Sequence, residues 1–325
     1  MTTPHIILCP GQGAQRVGMG RAWFDASPAA RAVFERADEA LGDRLGAKLS
    51  EICFSSDEQR INRTDVAQPA IYTVSVACFH ALFNSDSPAH PLTRSPTHPP
   101  LAGAAGLSLG EYTALHLAGV FTFEEGLELV ALRGRAMQDA AEAVDSGMVA
   151  LIGADEAQAR AVCDAAAGGE VLVPANFNAP GQIVLSGNVG ACARAVEEAG
   201  KIGLRAAALP VAGAFHSPLM APAAERLSQA LEQTPLADPG CPVMSNVTAV
   251  PHGQGPDAGS PIIQSIRRRL VEQLTAPVRW AESCEWMRDN AAGELHELAP
   301  GKVLAGLMRR IDRTMKVQTH DEPDA

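Results

Sequence analysis

The sequence Gly106-Leu107-Ser108-Leu109-Gly110 decides how the rest of this chain is arranged, because it has the pattern G-x-S-x-G. Small and apolar residues (101–105) precede it, and a helix-prone segment (111–118) follows it and stops at Gly119. A strand, a sharp turn and a helix form a nucleophile elbow, which holds its serine exposed on strained backbone. The N–H groups and positive dipole end of the following helix favour an anion there. The stretch therefore predicts Ser108 as a nucleophile.

Length and composition indicate a soluble α/β protein. The chain has 325 residues, of which 46% are hydrophobic, and this is enough for one large domain or two smaller ones. A formal net charge of −11 disfavours nucleic acid as a partner, because phosphate binding needs a basic face. Seven cysteines without a C-x-x-C motif predict a reducing compartment, no disulfide framework and no structural zinc.

The N-terminal residues 1–5 show no basic segment leading into a long apolar one. No window of the chain holds about 18 uninterrupted apolar residues, which is the length that a membrane span needs. We therefore predict no signal peptide, no contact with a membrane and a cytoplasmic protein.

A glycine-rich loop, Pro10–Gln15, follows a short apolar run (residues 5–9) that predicts a buried strand. The loop is either a tight turn between a strand and a helix or a set of backbone N–H groups presented to an anion. It is not a dinucleotide fingerprint, because the third glycine of that motif is missing from its place.

A helix is predicted to start at Phe123, because Thr122 and Glu125 form a capping box. Its polar face carries Glu124, Glu128, Arg135, Gln138, Asp139 and Glu142. Its opposite face carries Leu129, Val130, Met137 and Ala140. Arg133 falls among the apolar residues, where an arginine needs an anion to offset its desolvation. That anion is either an Asp or Glu of the protein or a substrate carboxylate held by two parallel hydrogen bonds.

Two segments near the N-terminal third are bounded by prolines. Gln68-Pro69 predicts the start of an apolar helix that runs to about Phe83. Residues 84–100 are rich in Pro, Ser and His and predict an exposed loop, in which His90 and His98 are solvated.

Residues 148–210 alternate strands and helices in the order βαββαβ. The predicted strands are 149–152, 169–173, 182–186 and 205–209, and the predicted helices are 155–167 and 189–199. This order is that of the ferredoxin-like split βαβ unit, so we predict a small inserted subdomain here.

A histidine lies on a well-specified turn in Gly213-Ala214-Phe215-His216-Ser217-Pro218. Ser217 and Pro218 predict a cap and the first residue of a helix that runs to about Gln233. His216 is thereby fixed just ahead of a helix and is the best candidate for a base that activates Ser108. His116 is predicted to be a packing residue. No single Asp or Glu is indicated as a third member.

Seven motifs taken together, in this order, resemble malonyl-CoA:acyl-carrier-protein transacylases of fatty acid synthesis and the related acyltransferase domains of polyketide synthases. The resemblance spans nearly the whole length. The motifs are Pro10-Gly-Gln-Gly-Ala-Gln15, Gly106-Leu-Ser-Leu-Gly-Glu-Tyr112, Leu132-Arg-Gly134 with Met137-Gln138, Asn178-Ala-Pro-Gly-Gln182 with Ser186-Gly187, Gly213-Ala-Phe-His-Ser217, Gln273, and Pro300-Gly-Lys-Val303.

The resemblance implies a fold: an α/β-hydrolase-like large subdomain with an inserted ferredoxin-like (βαββαβ) small subdomain. The implied boundaries are 1–146 and 212–325 for the two parts of the large subdomain and 147–211 for the small one.

The resemblance also implies a role for each residue at a motif position. Ser108 attacks the thioester of malonyl-CoA, and His216 takes and returns the proton. The backbone N–H groups of Gln12 and Leu109 form the oxyanion hole. The remaining roles are carboxylate binding by Arg133, substrate contact by Met137, malonyl selectivity from Phe215, and orientation of His216 by the backbone carbonyl of Gln273.

The implied partners are malonyl-CoA and acyl carrier protein, and the implied state is a monomer. The implied reaction uses no cofactor and no metal, since the CoA thioester is a substrate. The chain departs from many family members at Leu107, where they carry a histidine, so any hydrogen bond from that position is missing here.

A hypothetical docking surface for the acidic carrier protein is made of basic residues: Arg267, Arg268, Arg269, Lys201, Lys302, Arg309 and Arg310. The alternative for these residues is ordinary solvated side chains.

Three other functions share the motifs. A stand-alone polyketide-type acyltransferase would use the same residues. A serine hydrolase or thioesterase would use Ser108 and His216 but would have no need of Arg133 among apolar residues. A non-catalytic, partner-binding relative would keep its function when Ser108 is replaced by Ala.

Overall fold

The computed structural model describes residues 4–83 and 101–323. The predicted loop 84–100, with His90 and His98, lies outside the described residues.

The fold is a mixed α/β fold with one parallel and one antiparallel sheet. The parallel sheet has the order β2-β1-β7-β8, with β1 (His5–Cys9), β2 (Leu101–Gly106), β7 (Glu294–Leu298) and β8 (Val317–His320). The antiparallel sheet has the order β4-β5-β3-β6, with β3 (Ser146–Ile152), β4 (Leu172–Ala179), β5 (Gln182–Asn188) and β6 (Arg205–Ala208).

The helices of the first half are α1 (Arg21–Ala26), α2 (Pro28–Leu41), α3 (Leu49–Ser55), α4 (Glu58–Ile61), α5 (Thr64–Phe83), α6 (Gly110–Leu117) and α7 (Phe123–Ala143). Those of the second half are α8 (Glu156–Ala166), α9 (Val189–Lys201), α10 (Ala221–Gln233), α11 (Ile262–Glu272), α12 (Trp280–Asn290) and α13 (Val303–Ile311).

Helix α5 starts earlier than the sequence predicts. It begins at Thr64, so Pro69 lies inside the helix and does not start it. A proline at this position removes only the backbone hydrogen bond to the carbonyl of Asp65, within the first turns. Tertiary packing overrides that loss, since α5 is almost wholly buried beside α2 and α7.

Among the described residues, α5 is the one helix long and apolar enough to cross a membrane, and 78% of that apolar window is buried inside the protein. A buried helix of this composition is typical of a protein core. It is therefore weak evidence for a membrane span.

Alternate residues of β1 point into two different cores. Ile7 and Cys9 pack with the helices α2, α5, α6 and α7 on one face of the parallel sheet, whereas Ile6 and Leu8 pack with α12 and α13 on the other. A parallel strand covered on both faces reads as a continuous apolar run, which is what this segment shows. The covered sheet gives a rigid base for the turn that follows β2.

One face of the antiparallel sheet packs under α8 and α9 through Val149, Leu151 and Leu185. The element order β3-α8-β4-β5-α9-β6 agrees with the predicted βαββαβ order. The second strand was misplaced in the prediction, because it runs over Leu172–Ala179 and not over 169–173. Pro174 and two asparagines interrupt the apolar run, so the sequence pattern did not predict the whole strand.

The capping box at α7 is confirmed, and the apolar face predicted for this helix is buried. Gln138 was wrongly placed on the polar face, since it is only 6% exposed. Its Oε1 accepts a hydrogen bond from the backbone N–H of Thr64 at 3.0 Å, and its Nε2 donates to Glu142 at 2.9 Å. The start of α5 needs this acceptor, so a tertiary contact decides the burial of Gln138.

Candidate active site

The turn between β2 and α6 has the geometry of a nucleophile elbow. Ser108 is one of three described non-glycine residues with a positive φ, at 53°. A Cβ atom on Gly106 would overlap the backbone of Gly110, and one on Gly110 would overlap the carbonyl group of Cys9. Both glycines of the G-x-S-x-G pattern are therefore required by close backbone approach, and the turn leaves Ser108 at the C-terminal end of the parallel sheet.

The structure brings Ser108 and His216 together across 108 residues of sequence. Ser108 Oγ lies 2.8 Å from His216 Nε2, and His216 Nδ1 lies 2.7 Å from the backbone carbonyl oxygen of Gln273. Because a carbonyl oxygen only accepts, Nδ1 carries the hydrogen and Nε2 presents its lone pair to the serine hydroxyl. His216 itself has a positive φ of 58°, just ahead of the cap that Ser217 provides.

Burial, together with the nearby charge of Arg133, lowers the pKa of His216 from its ordinary value to about 4. The hydrogen bond to the Gln273 carbonyl acts in the opposite direction. The imidazole is therefore neutral at pH 7 and able to accept a proton.

Arg133 is 1% exposed and has no carboxylate partner among the described residues. Its Nη1 donates to Gln68 Oε1 at 2.7 Å, and its Nη2 donates to Gln273 Oε1 at 2.9 Å and to Ser108 Oγ at 3.0 Å. Its guanidinium carbon lies 5.3 Å from the ring centre of Tyr112. Its Nε has no acceptor among the described residues. The sequence left two candidate counter-ions for Arg133. The first, an Asp or Glu of the protein, is wrong, since none of the described carboxylates pairs with Arg133.

Asn246 was not predicted as a site residue, and it holds the backbone of the elbow in place. Its Oδ1 accepts the backbone N–H of Ser108 at 2.6 Å, and its Nδ2 donates to the carbonyl of Gly106 at 2.7 Å. An asparagine in a loop carries no pattern that would identify this role, since the contact joins residues 138 apart in sequence.

Glu111 was also missed, although it is a fully buried carboxylate on α6. Its Oε2 accepts from the backbone N–H of Asn246 at 3.0 Å and from Gln273 Nε2 at 2.7 Å, and its Oε1 lies 2.8 Å from His252 Nε2. A lone charged residue on an otherwise apolar helix was the available signal. Glu111 links the side chains that support Ser108 and Arg133.

A cavity of about 460 Å³ lies in front of Ser108 and His216. Gln12, Met137 and Phe215 line it, as does Leu107. The other face of the antiparallel sheet closes the opposite side of the cavity, with residues that include Met148, Asn176, Asn178, Gln182 and Val184. Leu109 is fully buried at the N-terminus of α6 and not in the cavity wall. The site therefore lies between the two sheets.

Five of the seven basic residues suggested for docking have partners within the molecule. Lys201 binds Glu198, Arg309 donates to the carbonyl of Ala305, and the other three lie on α11. Arg267 donates to the carbonyls of Leu231 and Thr234, each at 3.0 Å. Arg268 and Arg269 both bind Asp257, whose pKa they hold far below its usual range. These arginines connect α11 to its surroundings, so less of their charge is free for a partner.

Predicted and observed positions of His116 agree: it is buried, and its Nδ1 lies 3.0 Å from the carbonyl of Phe121. All seven cysteines are free and buried.

Comparison with known proteins gives one consistent result. Residues 6–310 match the family described as acyl transferase domain. A malonyl CoA-acyl carrier protein transacylase of Bacillus subtilis is 37% identical over 320 residues, which is 98% of this chain and 93% of that protein. The solved malonyl CoA-acyl carrier protein transacylase of Coxiella burnetii is 34% identical, with a TM-score of 0.87 over 99% of this chain and 95% of that one.

A malonyl-transacylase solved in complex with a type II polyketide synthase acyl-carrier protein has the same TM-score of 0.87 at 33% identity, over 99% of this chain and 97% of that one. The resemblance first indicated by seven sequence motifs is thereby confirmed. This chain belongs to the acyl transferase domain family, among the malonyl CoA-acyl carrier protein transacylases.

Proposed function

We propose that the protein transfers the malonyl group of malonyl-CoA to the phosphopantetheine thiol of acyl carrier protein through a malonyl ester of Ser108. One observation carries the substrate: Arg133 is buried, lacks a carboxylate partner in the described part of the chain, and donates directly to Ser108 Oγ. A buried guanidinium without a counter-ion favours a ligand that supplies one.

In the first half-reaction, Ser108 Oγ attacks the thioester carbon while His216 Nε2 takes its proton. The CoA sulfur then leaves with that proton, and the malonyl ester of Ser108 remains. Because the Gln273 carbonyl accepts from Nδ1, it holds the tautomer that this step needs and stabilises the imidazolium that forms.

In the second half-reaction, the carrier-protein thiol gives its proton to His216 and its sulfur attacks the ester carbon. Ser108 Oγ leaves with the proton from His216, so the enzyme returns to its starting state. The cycle is of the ping-pong type.

The negative oxygen of each tetrahedral intermediate would be stabilised by the backbone N–H groups of Gln12 and Leu109. In residues 4–83 and 101–323, neither N–H donates to another group. The N–H of Ser108 is unsuited, since it donates to Asn246. One such donor contributes about 3–4 kcal/mol to lowering the barrier.

The carboxylate of the bound malonyl group would lie against Arg133. In the ester its carboxylate carbon is three bonds from Ser108 Oγ, which already accepts from Nη2 at 3.0 Å. Met137 and Phe215 line the cavity nearby. The bulk of Phe215 would exclude a methyl branch on the substrate.

The two sheets would correspond to two subdomains. We assign residues 1–146 and 212–325 to an α/β-hydrolase-like large subdomain and 147–211 to a ferredoxin-like small one. The support is the strand order β4-β5-β3-β6 and the position of those strands between residues 146 and 208.

This reaction would need no cofactor and no metal, because the thioester is itself the activated substrate. The enzyme would act as a monomer in the cytoplasm. Its net charge of −11 argues against nucleic acid as a partner.

Intact mass spectrometry after mixing with malonyl-CoA tests the nucleophile. We expect a single malonyl adduct on the wild-type protein and none on Ser108→Ala. An adduct that persists in Ser108→Ala would contradict the proposal.

The acceptor of the acyl group distinguishes a hydrolase from the proposed transferase. Slow CoA release without carrier protein and rapid release with it is the expected result, whereas rapid release into water alone would favour a thioesterase.

A polyketide carrier protein is the second candidate acceptor, favoured by the similarity to a malonyl-transacylase solved with such a partner. Comparing kcat/KM for a fatty acid and a type II polyketide carrier protein separates the two.

A further inference from the structure

Four polar residues meet on one face of the parallel sheet, near the end at which its central strands β1 and β7 begin, which the acyl transfer does not use. They are His5 at the start of β1, Glu294 and His296 on β7, and His320 at the end of β8. His5 and Glu294 are register partners, and His296 follows Glu294 by two residues, so their side chains share a face.

The potential ligand atoms of His5, Glu294 and His296 all lie within 4.8 Å of one another. His5 Nδ1 is 3.0 Å from His296 Nε2, and His296 Nε2 is 3.8 Å from Glu294 Oε2. In a tetrahedral zinc site with bonds of about 2.0–2.1 Å, neighbouring ligand atoms lie about 3.3 Å apart. The observed separations lie on both sides of that value, so small side-chain rotations suffice to receive an ion.

His320 supplies a second, independent observation. Its Nε2 lies 3.0 Å from His296 Nδ1, on the side of the ring away from His5 and Glu294. A histidine that binds a metal through one nitrogen characteristically donates its other N–H to a neighbouring acceptor, which fixes its tautomer and orientation. With Nδ1–H donated to His320, the lone pair of His296 Nε2 points at the other two ligands.

We propose that His5, Glu294 and His296 form a binding site for a divalent transition-metal ion such as Zn²⁺, with His320 orienting His296. Two imidazoles and one carboxylate select such an ion over Mg²⁺ or Ca²⁺, which prefer all-oxygen sites. The sequence predicted no metal site because it lacks a cysteine motif, but this site is assembled from three strands.

The ion would enter from solvent, because Glu294 is exposed and His5 is half-buried, whereas His296 forms the buried base. Binding transfers the hydrogen of His5 from Nδ1 to Nε2, so that both imidazoles bind as neutral ligands. The ion would then join the central strands β1 and β7 and stabilise the folded sheet.

Titration of the untagged, full-length protein with Zn²⁺ in a calorimeter tests the site, with Co²⁺ absorption as a second readout. We expect one ion per chain and a rise in Tm on adding Zn²⁺. Glu294→Gln and His296→Asn should weaken binding at least about tenfold and abolish the Tm rise. His320→Gln should weaken it by about 10- to 100-fold, as loss of an orienting partner does.

Two matched controls keep the test decisive. Glu285→Gln removes an exposed carboxylate on α12, and His90→Asn with His98→Asn removes the two histidines outside the described residues. Both should bind Zn²⁺ as the wild-type protein does. No binding by the wild-type protein, or unchanged binding by the exposed-site variant Glu294→Gln, would overturn the proposal.

Discussion

Arg133 and Arg269 are both arginines held largely out of water, and they are satisfied in opposite ways. Arg269 is 13% exposed in its side chain and binds Asp257, which is itself 2% exposed. Arg133 is more deeply buried, yet its described partners are two neutral amides and the hydroxyl of Ser108. The first arginine has its counter-ion within the protein, so it can only stabilise the fold. The second keeps its charge available for a ligand.

A nearby carboxylate makes the contrast sharper. Glu111 lies close enough to influence Arg133, but its oxygens are already used by Asn246, Gln273 and His252. Burial accordingly lowers the pKa of Arg133, while its carboxylate partners raise the pKa of Arg269. Burial of a charged side chain is therefore not by itself a sign of a structural role. The partner of the charge decides whether the role is structural.

Replacing Arg133 should have the largest effect on activity. In Arg133→Met we expect kcat/KM for malonyl-CoA to fall about a hundredfold to a thousandfold, since two charge-assisted hydrogen bonds at about 1.5–2 kcal/mol each are lost. The preference should shift from malonyl towards acetyl groups, as measured by competition between the two CoA thioesters. If the variant kept its full preference for malonyl groups, the contrast between Arg133 and Arg269 would be wrong.

Replacing Arg269 should instead affect stability. Arg269→Met leaves Asp257 buried with Arg268 as its one remaining described ion-pair partner, beside the hydroxyl of Ser265, so the free energy of unfolding should fall by about 2–3 kcal/mol at pH 7. Denaturant unfolding measures this loss, and the kinetics with malonyl-CoA serve as the control, which should not change.

The same variant has a defined pH dependence. The folded pKa of Asp257 is depressed, so the stability from its pairing is present above its unfolded pKa of about 3.9 and is lost as pH falls below it. The difference in the free energy of unfolding between wild type and Arg269→Met should therefore become smaller in acid. A difference that stays constant with pH would mean that the loss of stability comes from packing alone.

Glu111→Gln is expected to have a smaller effect on the reaction. The amide keeps the size of the side chain but presents a donor where the carboxylate accepts from Asn246 or Gln273. We expect kcat to fall about tenfold with the protein still folded, because a misplaced support alters the position of Ser108. Unchanged kcat would show that Asn246 and Gln273 hold the elbow without it.

The smallest effect concerns the acid limb of the pH profile. The pKa of His216 is lowered to about 4, so kcat/KM for malonyl-CoA should stay level well below pH 6.5 and fall only near that lower value. The same depression means that stability from neutral His216 is present above about pH 6.5 and is lost as pH falls towards 4.

In Arg133→Met the acid limb should move upward, since one of the two causes of the low pKa is removed. The shift is expected to be about one pH unit, compared over a pH series on the same substrate. A wild-type limb near 6.5 would contradict the burial of His216.

Local sequence patterns predicted much of what surrounds the site. The elbow, the capping box at Thr122 and the Ser217 cap each depend on backbone conformation over a few residues, and the structure has them where they were expected. The buried face of α7 was predictable for the same reason, because a helical period places Arg133 beside Val130 and Met137. Where tertiary contacts override the local preference, prediction was wrong, as for Gln138 and Pro69.

The sequence by itself determined that Ser108 lies on a strained turn, that His216 precedes a helix and that Arg133 lies on an apolar face, because each follows from residues within a few turns of one another. Only the tertiary structure decided that these three meet, that Gln273 and Asn246 support them, and that the two adjacent strands β1 and β7 bring His5, Glu294 and His296 together. The physical reason is topological: adjacent parallel strands place side chains in contact that are more than a hundred residues apart in the chain, and no local pattern encodes which ones.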